Sequence, residues 1–338
     1  LAARLIRWVV ALLLFASIAL TSAQQAGTVG PWWLELSRYL PYPVLLAPAA
    51  LALLLSSALG WRWVLGSAAT LALVASVGMG LVWGRPDSGR APVRLMTYNI
   101  KAYKAALRSD GFAELAREVA LHHPDILVAQ DNHGITRSDV APPWPGARGF
   151  GMPYTFTVEQ YIVASRYPLR DCARGSIAFR DQVHLYLRCT VDVDGIALNV
   201  VTAHFESPRS GLNAARREGL EGADEWKQNY EDRLGQARAL ASNLRGSARP
   251  LVVAGDLNAP QASSVVRTLL GTGLRDAFSS AGRGYGYSYG QALRLGFSFL
   301  RIDHILVSPE IGVVDCFVGG GDASDHRPVI ADLLLQRQ

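Results

Sequence analysis

The sequence predicts an α/β domain of two packed sheets covered by helices, preceded by three membrane-spanning helices. Two observations predict it. The chain has 338 residues and is 50% hydrophobic, yet its apolar excess lies almost entirely before residue 85. From residue 93 onward, short β-rich runs alternate with helical patterns, as expected of one domain with strands and helices in separate layers.

Three N-terminal runs, Trp8 to Ala23, Pro43 to Leu59 and Trp63 to Trp83, are each close to the ~20 residues that a spanning helix needs. None contains a charged residue. Helices buried in a soluble core keep a polar stripe, whereas these runs are apolar on every side. Arg4 and Arg7 precede the first run and Arg62 sits between the second and third. Positive residues in short loops favour the cytoplasmic side, so the N-terminus is expected inside and everything after Trp83 outside. Thr21-Ser22-Ala23 also resembles a processing site, so the first run could be a cleaved signal peptide. The expected side is the same either way.

The Gly-, Pro- and Arg-rich stretch 85–92 reads as a linker, and residues 93–338 as a single folded domain. Within it, Val93 to Ile100, Asp125 to Gln130, Tyr161 to Ser165, Gln182 to Val193 and Ile196 to Ala203 read as strands. Asp194-Gly195 supplies hairpin-turn chemistry between the last two. A helix is expected over Gly111 to His123. The polar region Glu206 to Trp226 leads to another over Asn229 to Leu244. The strand Pro250 to Ala254, a helix Ser263 to Leu270, and the strands Ile302 to Val307 and Val329 to Leu335 complete the pattern.

The net charge of +5 suggests a nucleic-acid partner until it is divided by region. Residues 1–91 hold six Arg against Glu35 and Asp87, which leaves 27 basic and 26 acidic residues in the remainder. A nearly neutral domain lacks the basic footprint of a protein that tracks a phosphate backbone. Arg209, Arg216 and Arg217 are the one local source of positive charge, diluted by Glu218, Glu221, Asp224 and Glu225. The three cysteines have no metal-type spacing. A Cys172–Cys189 bridge would suit an oxidising compartment, with three unpaired thiols as the alternative.

Polar residues recur where apolar strands run out. Asn99 ends one such run and Asp131 another. Asp256 and Asn258 follow Pro250-Leu-Val-Val-Ala-Gly, two residues apart and so on one face of an extended chain. An acid beside a neutral amide suits a water that must lose a proton next to an anionic phosphate. Asp303-His304 and Asp325-His326 each place an acid and a histidine at a strand boundary. Each alone has a plain alternative as a turn, cap or surface pair.

In this order the five segments resemble the endonuclease/exonuclease/phosphatase superfamily, over residues 93 to 336. Gly255-Asp256-Leu257-Asn258 and Ser324-Asp325-His326-Arg327-Pro328 are the most diagnostic pieces, and Ala203-His204-Phe205 is similar to the family's histidine segment. The resemblance implies a four-layer sandwich of two mixed sheets flanked by helices, with the site at one rim. It implies that Asn99, Asp131 and Asp325 lie near a metal, and hard oxygen donors favour Mg²⁺ or Mn²⁺ over zinc. It implies that Asp256 and Asn258 orient and deprotonate a water, that Asp303 orients His326 against the scissile phosphate, and that His204 is a second phosphate-facing histidine.

One departure is visible. Gln130-Asp131 stands where the family usually has Gln-Glu, so the acid is one methylene shorter. The implied function is metal-dependent hydrolysis of a phosphoester, on lipid head groups or small extracytoplasmic substrates. The alternatives are an extracytoplasmic nuclease acting on nucleic acid, and a binding protein without metal chemistry. The tyrosine- and glycine-rich stretch Gly284 to Gly290 reads as a loop, with a substrate-side role or simple packing both open.

Overall fold

The computed structural model describes residues 1–27, 30–89, 92–109, 112–132, 150–179, 182–293 and 295–336. The chain begins with α1 (Ala2–Gln25), α2 (Trp32–Ser37), α3 (Tyr42–Ser56) and α4 (Trp61–Leu73), the last continued by a π turn over Val74–Gly78. Trp8, Leu12, Phe15, Leu54, Trp61 and Leu65 are exposed on these helices. Such a surface is a liability in water and ordinary against lipid. By length and composition, α1 and the continuous helix Trp61–Gly78 can cross a membrane. The expectation of three spans is therefore met by two helices of spanning length, because α3 has 15 residues and falls short of ~20. The run expected to extend from Trp63 to Trp83 stops early. Gly80 takes φ 75°, and the chain turns into β1 (Val82–Trp83), which pairs with Arg283–Gly284.

After β1 come β2 (Val93–Asn99), α5 (Ala102–Ala105), α6 (Ala113–His122), β3 (Ile126–Gln130), β4 (Tyr154–Val158), β5 (Tyr161–Ser165), β6 (Leu169–Phe179), β7 (Gln182–Val193) and β8 (Ile196–His204). They are followed by α7 (Arg209–Glu218), α8 (Ala223–Leu244), β9 (Leu251–Asp256), α9 (Ser264–Leu270), β10 (Arg275–Asp276), α10 (Ala277–Ala281), β11 (Arg283–Gly284), β12 (Asp303–Val307), β13 (Ile311–Val318) and β14 (Val329–Leu335). Two six-stranded sheets result, ordered β10-β12-β9-β8-β7-β6 and β13-β14-β2-β3-β5-β4. The pairs β2–β3 and β8–β9 are parallel within otherwise antiparallel sheets.

Alternation along the strands makes four layers. Leu95 and Val128 of one sheet meet Leu187, Val200 and Val252 of the other in the central core. The opposite faces of the same strands, Met96, Tyr98 and Leu127, pack with Leu115 and Val119 of α6. Val201 and Val253 of the other sheet pack with Trp226, Leu234 and Leu240 of α8 and Leu269 of α9. Both sheets are covered on both faces, which is why their strands read as nearly continuous apolar runs.

The expected strands Tyr161–Ser165, Gln182–Val193 and Val329–Leu335 are found with the same ends. Asp194 and Gly195 have φ of 51° and 89°, the positive values that a type I′ hairpin turn needs. Cys172 and Cys189 form a disulfide across β6 and β7, and Cys316 is free and buried. The region from Glu206 to Trp226 is more ordered than its polarity suggested, since it holds α7 and the start of α8, separated at Gly219 (φ 61°). The stretch read as a linker is docked along the sheet edge: the Asp87 amide donates to the Val313 carbonyl, and the Val313 amide to the Asp87 carboxylate, at 2.8 and 2.9 Å.

Candidate active site

Strand register aligns three of the predicted residues in one row. His204 at the end of β8 stands opposite Asp256 at the end of β9, and Asp256 stands opposite Asp303 at the start of β12. The row depends on Gly255. A Cβ built there would lie 2.0 Å from the Ala203 carbonyl oxygen, so only glycine lets β9 run this close to β8. Asn99, at the end of β2 in the other sheet, closes the gap between sheets by donating from Nδ2 to Asp256 Oδ2 at 2.8 Å.

His326 arrives on the loop before β14. Its Nδ1 faces both Asp303 oxygens at 3.0 and 3.2 Å, and its Nε2 lies 3.7 Å from Asp256 Oδ2. His204 Nε2 approaches the same oxygen at 3.5 Å, while its Nδ1 is 2.6 Å from Gln160 Oε1. Asp256, Asp303 and His326 are buried. Burial pushes the Asp256 carboxyl upward, but His326, His204, Lys101 and the Asn99 amide outweigh it and hold the group below the usual carboxylate range. Burial alone would depress His326, and Asp303 and Asp256 reverse that and raise it. Burial dominates for His204, which is lowered. Burial also raises Asp303, against the pull of His326. The two histidines are thus driven apart, His326 towards the charged form and His204 towards the neutral one.

The other predicted residues stand around this cluster. Asn258 (φ 48°) donates its backbone N–H to Asp256 Oδ1 at 2.9 Å and its side-chain amide to the Phe205 carbonyl at 2.9 Å. It therefore holds the acid and the turn after His204. Asp131 is paired with Lys101 Nζ at 2.8 Å, and Asp325 with Lys104 Nζ. Asp325 is tied to Asn99 through its neighbour Ser324, whose Oγ donates to the Asn99 carbonyl at 2.7 Å.

The donor set fits a hard divalent cation. Asn99, Asp131 and Asp325 offer only oxygen, and both carboxylates already draw an ammonium group to themselves. Among the described residues, the tightest group of possible ligands is Asp256, Asp303 and His326, with atoms within 4.8 Å of one another. Asp303 is committed within it, because its oxygens receive His326 and the Ser288 hydroxyl at 2.6 Å. It is the partner of the ring before it is a ligand.

Several residues that contact the cluster escape a reading of the sequence. Lys101 and Lys104 follow Asn99 by two and five positions, and a lysine after a strand carries no distinctive pattern. Lys101 (φ 44°) and Asp131 (φ 61°) both take left-handed backbone, an arrangement that clusters at functional sites. Gln160 and the Tyr161 hydroxyl hold the His204 ring and backbone. The stretch Gly284 to Gly290 does reach the site, since Ser288 bonds Asp303 and the Tyr289 ring lies 4.7 Å from His326.

The profile of the Endonuclease/Exonuclease/phosphatase family matches residues 96–326, a span that contains every one of these side chains. The chain belongs to the endonuclease/exonuclease/phosphatase family. Members of this family are metal-dependent phosphoester hydrolases. Solved structures agree on the fold. A family protein from Bacteroides thetaiotaomicron aligns at 16% identity over 74% of this chain and 100% of its own, with a TM-score of 0.54. The humanized TDP2 of D. rerio aligns at 17% identity over 72% of this chain and 98% of its own, with a TM-score of 0.52. The mannosyl-6-phosphatase of Bacteroides thetaiotaomicron gives 17%, 72%, 100% and 0.50 for the same quantities. No curated protein sequence matches this member of the family.

Proposed function

We propose that the chain is a hydrolase that cleaves a phosphoester by in-line attack of water, supported by Mg²⁺ or Mn²⁺ and anchored in a membrane by its N-terminal helices. One observation carries this reading. An ionised, fully buried Asp256 is held by Asn99 and by the backbone of Asn258, with two histidines of opposite charge tendency within 3.5 and 3.7 Å. Asp256 accepts the proton of the attacking water. His326, raised towards its charged form and fixed by Asp303, donates from Nε2 to a phosphoryl oxygen or to the leaving group. Neutral His204, held through Nδ1 by Gln160, faces the phosphate beside it. A divalent ion held by Asn99, Asp131 and Asp325 would supply positive charge to the phosphoryl oxygens.

The anchoring part of the reading rests on α1, α3 and α4 together with their exposed apolar side chains. An extracytoplasmic catalytic region requires an odd number of crossings, so α3 must cross as well although it has only 15 residues. Arg4, Arg7 and Arg62 and the Cys172–Cys189 disulfide, which suits oxidising compartments, support that side. A nearly neutral catalytic region favours lipid head groups or small phosphoesters over nucleic acid. The fold itself does not choose, since its structural neighbours carry names as different as mannosyl-6-phosphatase and TDP2.

The test is hydrolysis of aryl phosphomonoesters and phosphodiesters by the purified full chain with Mg²⁺ or Mn²⁺, before and after chelation, followed by phospholipid and DNA substrates. Asp256→Asn should keep the fold and lower the rate by at least the ~10²-fold typical of losing a general base. Indifference to both Asp256→Asn and His326→Ala overturns the mechanism, and silence with both metals overturns the enzyme. A reporter fused after Gln338 that is active in the cytoplasm overturns the topology.

A further inference from the structure

A cavity of about 430 Å³ lies apart from Asp256, between the N-terminal helices and the catalytic domain. Its walls are of two kinds. One carries Arg38, Arg267 and Arg301 with Asp276 as their acidic neighbour. The other is apolar and comes from the membrane side, through Leu45, Val77 and Leu81. Tyr42, Tyr287 and Tyr285 stand between them as a stack, with ring centroids 6.4 and 5.2 Å apart, as aromatic side chains do at a bilayer surface.

The positive charge is balanced only in part from within. Arg301 is paired with Asp276 at 2.9 Å, and Arg38 with Glu35. Arg267 has no carboxylate partner among the described residues. It is held by two main-chain carbonyls, those of Ala26 and, at 3.0 Å, Gln24. Arg38 donates to the same Gln24 oxygen at 2.8 Å. Two guanidinium groups therefore converge on one neutral oxygen and repel each other. Arg38 Nε and Arg301 Nε and Nη2 also lack hydrogen-bond partners, but they are closed off from the cavity surface, the Arg301 guanidinium lying 5.1 Å from the Phe278 ring, so Arg267 is the group best placed to meet an anion.

An anion between these groups would relieve the repulsion, and a guanidinium pair suits phosphate in particular. The apolar wall and the tyrosine stack require that the anion carry hydrocarbon. We infer that the cavity holds the phosphate of an anionic phospholipid head group, with its chains left among the apolar helices. The inference rests on the membrane reading above. It gives the lipid a direct purchase on the site, because Arg301 is two residues from Asp303 and Pro260, also in the wall, is two from Asn258.

The experiment compares the full chain in nanodiscs of phosphatidylcholine alone and of phosphatidylcholine mixed with phosphatidylglycerol. Melting temperature is followed, and so is lipid retained after transfer to detergent, by native mass spectrometry. Phosphatidylglycerol should raise the melting temperature by a few degrees and remain bound. Arg267→Gln should abolish that increment and the retained lipid, whereas Arg267→Lys should keep part of both. The increment, and not the melting temperature itself, is decisive, since Arg267 also ties down the end of α1. Equal behaviour in the two lipids overturns the proposal. So does an equal increment from inorganic phosphate in phosphatidylcholine discs, which marks a small-anion site. Failure to enter the discs at all overturns the membrane reading, and this proposal with it.

Discussion

The Tyr39 hydroxyl donates a 2.8 Å hydrogen bond to the main-chain carbonyl of Asn258, so a residue between the first two apolar helices touches the backbone of the site. Arg233 donates to the same carbonyl at 2.9 Å and lies 5.3 Å from the Tyr39 ring and 5.2 Å from that of Trp226. Trp226 in turn donates to the Trp32 carbonyl at 2.8 Å. Burial raises the Tyr39 phenol to about 12, so it remains a donor throughout the physiological range.

Tyr39→Ala should therefore destabilise the full chain by about 3 kcal/mol, as for other buried aromatic truncations. Tyr39→Phe should cost about 1 kcal/mol, because Arg233 still serves the carbonyl. A fragment beginning at Pro92 loses this packing and should melt below the full chain. Denaturant or thermal melts in detergent decide the matter, and a neutral Tyr39→Ala would show the contact to be incidental.

Lys101 is paired with Asp131, the carboxylate that would hold the metal in the proposed reading. Lys101→Met should tighten Mg²⁺ or Mn²⁺ binding by about tenfold, since a hydrogen bond between charged groups is worth roughly 1.5–3 kcal/mol. Asp131→Glu should hold or improve that affinity and Asp131→Ala should weaken it, with excess metal recovering part of the rate. Calorimetric titration of the metal measures all three. A weaker affinity in Lys101→Met would refute the competition.

His326 is raised because Asp303 and Asp256 overcome its burial. Its charged form is present below that raised pKa and is lost as pH rises through it, so activity should fall on the alkaline side. Asp303→Asn leaves burial dominant, and the descending limb of the pH–rate profile should move to lower pH. A limb that stays in place would assign it to another group.

At Gly255, an added Cβ would meet the Ala203 carbonyl at 2.0 Å, while at Gly320 it would meet nothing within 4 Å. Gly255→Ala should destabilise the domain by about 3 kcal/mol or more and displace Asp256 from its row. Gly320→Ala should melt like the parent. Similar melting of the two variants would mean that β8 and β9 can separate at no great cost.

The strands of the sandwich were legible because both sheets are covered on both faces, so burial wrote long apolar runs into β2, β3, β9 and β14. The edge strands were not. Tyr154–Val158 and Leu169–Phe179 carry exposed polar positions and look like loops until a neighbour supplies the ladder. Helix α7 was hidden for a related reason, since its sequence is largely polar and its few buried positions, Gly211 and Ala214, are small.

The same division runs through the site. Asn99, Asp131, His204, Asp256, Asp303 and His326 are visible in the sequence as a set, because polar and titratable groups recur where apolar strands begin or end, although each alone has a plain structural alternative. What the sequence by itself determined is therefore the set of chemical groups and the strands that carry them. Only the tertiary structure decided how they meet. Register set His204, Asp256 and Asp303 in a row, the gap between sheets brought Asn99 to Asp256, and packing delivered Lys101, Ser288, Tyr289 and Tyr39. The physical reason is that strand periodicity is local, whereas register and sheet-to-sheet contact join residues far apart in the chain, as Asn99 and Asp256 are at 157 positions, and leave no pattern between neighbours in the chain.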